Sequence, residues 1–74
     1  MMPRAVVKRL RALDPSAFIA HQDGSHQKWR LSDGSSVIVP IHSRDIPIGT
    51  LQSIERQGAA ALGRGWLSIA RRGQ

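Results

Sequence analysis

The sequence predicts an α+β fold of order α-β-β-β-α, with a three-stranded antiparallel sheet covered on one face by two helices. Three observations carry this expectation. Apolar residues recur at helical spacing near both ends, two central stretches alternate with period two, and Asp-Gly and Ser-Asp-Gly-Ser clusters punctuate the middle. The 74 residues suit one small domain spanning 1–74, since a chain this short buries only roughly 60% of its unfolded surface.

The elements follow in order. From Pro3 to Leu13, the residues Val6, Val7, Leu10 and Leu13 recur at intervals of three and four, with Lys8, Arg9 and Arg11 off that stripe. Pro3 suits the first turn and Asp14-Pro15 ends the pattern. Phe18 to Gln22 is a short extended stretch, and Asp23-Gly24 turns the chain into His26 to Leu31. There Gln27, Trp29 and Leu31 share the inner face, and His26, Lys28 and Arg30 the outer one. A second turn at Ser32-Asp33-Gly34-Ser35 leads to Ser36 to Ile41, whose Val37, Val39 and Ile41 share a face. Pro47 then opens a helix with Ile48, Leu51 and Ile54 as its stripe. Gly58 ends it, or the run Ala59 to Leu62 extends it or leads through Gly63 and Gly65 into a short last helix with Trp66, Leu67 and Ile69. Arg71 and Arg72 close the chain on a segment expected to fray.

Composition narrows the function. With eleven Lys and Arg against five Asp and Glu, the formal net charge is +6. A positive field of that size favours polyanions, nucleic acid first and an acidic inhibitor protein close behind. The absence of cysteine excludes disulfides, thiolate metal sites and thiol catalysis, and fits a reducing compartment. Lys8, Arg9 and Arg11 interrupt the N-terminal apolar stretch, so it reads neither as a signal peptide nor as a span. The expected location is the cytoplasm.

Few residues can carry chemistry. No spacing such as H-E-x-x-H recruits a metal, so the expectation is no metal and no cofactor. His26 follows Gly24-Ser25 at the lip of a turn and lines up with Lys28 and Arg30. The plain reading of that stripe is a solvated strand face that keeps the sheet soluble. Its functional reading rests on RNA chemistry. RNA brings its own nucleophile, the 2′-hydroxyl, so a protein needs only an imidazole to move a proton and a cation to stabilise the phosphate charge. The product would be a 2′,3′-cyclic phosphate, and DNA would resist.

Three fragments, Gly24-Ser25-His26, Val39-Pro40-Ile41-His42 and Ile46-Pro47-Ile48-Gly49-Thr50-Leu51-Gln52-Ser53-Ile54, resemble in order and spacing the HicA family of bacterial toxins. The resemblance covers most of the chain. It implies a fold similar to double-stranded RNA-binding domains, messenger RNA cleavage independent of the ribosome, a catalytic histidine falling on His26, and neutralisation by a HicB-type antitoxin. The sequence departs from the family at Ala17, where glycine is frequent, and at Asp23, where a basic residue is frequent. The C-terminal stretch also matches poorly.

His42 is either a second acid–base group or phosphate contact, or a loop histidine bonded to local backbone. Gly24 and Ser25, with Lys28 and Arg30, are expected beside the RNA, and Lys8, Arg9 and Arg11 either grip its backbone or form a solvated helix face. Gly49 and Thr50 leave amides accessible at a helix start, with a local structural role ranked first. His21 has no motif, and Trp29 and Trp66 are assigned to the core. The chief rival function is a non-catalytic double-stranded-RNA-binding module. A structural protein of a ribonucleoprotein fits less well, because long basic tails are missing.

Overall fold

In the computed structural model, which describes residues 1–69, helix α1 spans Pro3–Leu13, the range its apolar spacing predicts. It is followed by strands β1 (Phe18–Asp23), β2 (His26–Arg30) and β3 (Ser36–Pro40), and by helix α2 (Ile48–Leu62). The strands form one antiparallel sheet in the order β1-β2-β3, as two successive hairpins require. The second and third strands each stop one residue short of their expected ends.

The core lies on one face of this sheet. Val6 and Leu10 from α1, Trp29 and Leu31 on and just after β2, Val37 and Val39 from β3, and Leu51 and Ile54 from α2 are all buried there. The predicted stripes are trimmed at their margins, since Leu13 and Ile48 are exposed. The Trp29 indole N–H donates to Gln27 Oε1 at 3.1 Å, so its polar atom is satisfied without leaving the core. β1 is a separate case, with every residue exposed. A register shift between Ile19 and His21 leaves Ala20 without a partner, the mark of a β-bulge.

α1 ends at Asp14, a buried carboxylate that ties the helix to the turn after β2. Its Oδ2 accepts from the Ser32 backbone N–H at 2.8 Å and its Oδ1 from Ser16 Oγ at 2.9 Å. The Ser32 bond first, and the Ser16 bond second, hold the Asp14 carboxyl below its ordinary value of 3.8.

Gly58 does not end α2. The helix runs through it to Leu62 and stops at Gly63, whose φ of 97° lies in the left-handed region. Gly58 is there for a packing reason: a Cβ built on it would stand 3.0 Å from Trp66 Nε1 and 3.1 Å from Trp66 Cε2. The indole is fixed in place, since Trp66 Nε1 donates to Glu55 O at 2.9 Å and Arg9 Nε donates to Trp66 O at 2.7 Å. Residues 64–67 form a turn in place of the expected last helix, with Trp66 and Leu67 buried. Arg71 and Arg72 lie outside the described residues.

Gly→Ala in a helix interior ordinarily stabilises by about 1 kcal/mol, but Gly58→Ala should lower stability by about 1–3 kcal/mol through overpacking. Gly49→Ala, where nothing lies within 4 Å of the new Cβ, should not; urea midpoints of the two variants provide the comparison. Because Asp14 is held low in the fold, its contribution is fully present above the unfolded value of about 3.9. It should be lost as pH falls through the lower folded value. The urea midpoint of Asp14→Asn should therefore fall less between pH 5 and pH 2 than that of the wild type.

Candidate functional site

The site is built on the outer face of the sheet. Trp29 is 5% and Leu31 3% exposed, which commits alternate residues of β2 inward and turns His26, Lys28 and Arg30 outward. His26 is exposed, while Lys28 and Arg30 are half-buried. Arg30 Nε donates to Ser36 Oγ at 3.2 Å, so that guanidinium is steadied against β3.

The turn before His26 consists of Gly24 and Ser25, one residue later than the predicted Asp23-Gly24 pair. Asp23 belongs to β1 and pairs directly across from His26, which puts its carboxylate on the same face. Gly24 has φ of 57°, as a two-residue hairpin with glycine in first place requires. On the other side, the Ile41 N–H donates to Ser25 O, extending the β2–β3 pairing and drawing the following loop toward the turn.

That loop brings His42 into the site. His26 and His42 line one cleft of about 320 Å³, together with Ile38, Pro40 and Pro47. Its remaining wall comes from Thr50, Ser53, Ile54 and Gln57 of α2. Gln57 also fixes the helix against the sheet edge: its Oε1 accepts from the Ile38 backbone N–H at 2.8 Å and its Nε2 donates to Ser53 Oγ at 3.4 Å. His42 is bonded to local backbone as well as lining the cleft, since the Arg44 N–H donates to its Nδ1 at 3.2 Å.

The structure separates the other expected contacts. Lys8 and Arg11 line a groove along α1 with Arg4, Val7, Ala12 and Pro15, whereas α1 packs on the inner face, across the sheet from His26. Arg9 is engaged with the C-terminal turn, through Trp66 O and, at 3.1 Å, Ser68 Oγ. His21, which carries no motif, pairs across from Lys28 and so shares its face. The bulge at Ala20 decides this, because strict alternation would have sent His21 inward with Ile19. Sequence reasoning also missed the α2 wall, although Thr50, Ser53 and Gln57 recur at helical spacing beside Leu51, Ile54 and Gly58. Among the described residues, no three His, Asp or Glu side chains gather into a metal-holding group, and no helix is long and apolar enough to cross a membrane.

Fold and site together define a small basic α+β domain that presents a histidine-lined cleft beside cationic side chains on the outer face of its sheet. Residues 4–59 match the family described as the HicA toxin of bacterial toxin–antitoxin systems, and the chain belongs to that family. Membership makes it a toxin of such a system, with a cognate antitoxin as partner. The matched range contains His26, His42 and the cleft wall of α2, and ends before the Trp66 turn. No curated protein matches the chain.

The geometry of the turn is open to direct test. Gly24→Ala places a Cβ in open space but in a left-handed conformation, and should cost about 1 kcal/mol of stability. Denaturant midpoints measure it, and a gain in stability would contradict the turn described.

Proposed function

We propose that this toxin is a metal-independent endoribonuclease that cleaves messenger RNA in the cytoplasm, with His26 as its acid–base catalyst and a HicB-like antitoxin as its inhibitor. One observation carries the reading: His26 is exposed and lines a cleft, on the same strand face as Lys28 and Arg30.

The chemistry asks little of the protein. His26 takes the proton of the 2′-hydroxyl as the 2′-oxygen bonds to phosphorus, and the P–O5′ bond breaks. The 5′-oxygen leaves with a proton returned by the same ring or by solvent, and the product keeps a 2′,3′-cyclic phosphate. Lys28, next along the strand on the same face, opposes the charge gathering on the phosphate, and Arg30 extends the cationic track for the neighbouring one. Gly24 and Ser25 let the RNA backbone approach closely, since the turn is exposed. Lys8 and Arg11 would meet the polynucleotide away from the point of cleavage, adding affinity that salt screens. The net charge of +6 equally suits an acidic antitoxin surface laid over the cleft.

The test uses purified chain and labelled single-stranded RNA. Wild-type protein should cleave in the presence of chelator, leave the all-deoxy strand intact, and yield cyclic phosphate ends. His26→Ala should slow cleavage by roughly 10²- to 10⁴-fold while keeping its melting temperature. Equal cleavage by both proteins would remove His26 from the reaction, and RNA binding with no cleavage would favour a double-stranded-RNA-binding module.

A further inference from the structure

We infer that His42 is a fixed hydrogen-bond donor to the scissile phosphate and takes no part in proton transfer, an assignment that rests on the ribonuclease reading above. Two histidines lining one cleft invite a division into base and acid, but the loop that holds His42 argues against it. The Arg44 backbone N–H donates to His42 Nδ1 at 3.2 Å. A backbone amide nitrogen can only donate, so Nδ1 carries no proton, and the neutral ring keeps its hydrogen on Nε2.

Both alternative roles would break that bond. To act as an acid, the ring must hold a proton on each nitrogen, which sets Nδ1–H against the Arg44 N–H. To act as a base through Nε2, it must move its hydrogen to Nδ1, with the same collision. The tautomer that the loop selects can do one thing, which is to present Nε2–H as a donor. Its position suits a phosphate oxygen, because His42 shares the cleft with His26 and the Ile41-to-Ser25 backbone bond ties its loop to the turn that carries His26. A donor fixed where charge develops stabilises the transition state without reorganising. During cleavage the Nε2 hydrogen stays on His42, and the proton taken from the 2′-hydroxyl travels through His26.

Three substitutions in the full chain separate the roles. Glutamine places an N–H at about the reach of Nε2, whereas asparagine reaches only as far as Nδ1, where its oxygen can still accept from the Arg44 N–H. His42→Ala and His42→Asn should each lower kcat/KM by roughly 10- to 100-fold, and His42→Gln should recover most of that loss. With a substrate carrying sulfur at the bridging 5′ position, whose thiolate leaves unprotonated, the His42→Ala defect should persist. The inference is overturned by Gln as slow as Ala, by Asn as fast as wild type, by Ala as fast as wild type, or by a 5′-sulfur that erases the defect. Wild-type protein that cleaves no RNA would overturn the ribonuclease reading along with it. His42→Asn, which keeps the loop bond, serves as the folded control if His42→Ala melts at a lower temperature.

Discussion

The burial of Trp29 and Leu31 beneath two helices is the constraint on which the rest depends. A strand offers its side chains to alternate faces, so fixing these two inward leaves no choice for His26, Lys28 and Arg30. A slip of one residue would bury three titratable or charged groups and expose the tryptophan. The Trp29-to-Gln27 bond lets the large indole remain in the core with its N–H satisfied.

The cleft depends on how the protein treats the two edges of its sheet. The β3 edge is covered: Gln57 of α2 accepts from the Ile38 N–H, and the helix stands beside the strand instead of lying only over the inner face. This placement lets Ile54, only 1% exposed, join the core while Thr50 and Ser53 face the outer surface. The β1 edge is exposed along its whole length, and the bulge at Ala20 twists it and turns His21 to the side of Lys28.

Glycine at position 58 and arginine at position 9 solve one problem from two sides. The turn after α2 folds Trp66 back onto the helix, which only a residue without Cβ permits at that distance, and Arg9 reaches from α1 to hold the Trp66 carbonyl. A basic residue that reads as a candidate for RNA is thereby given to the fold. The turn lies beyond the family match, whereas Arg9 and Gly58, which receive it, lie within it.

Much of this was legible in the residues alone, because helical and strand spacing are local properties of a chain. Pro3–Leu13 as a helix, the meander, the inward Trp29 and the outward His26 all follow from period and turn chemistry. The family was readable too, from Gly24-Ser25-His26 and the Pro47 helix. What the local pattern could not contain are contacts between residues distant in sequence. The α2 wall, the separation of Lys8 and Arg11 from His26 and the engagement of Arg9 were settled only by tertiary structure. The bulge that reverses His21 was settled there as well. Each depends on where one element's edge or end meets another, and hydrophobic periodicity carries no record of that.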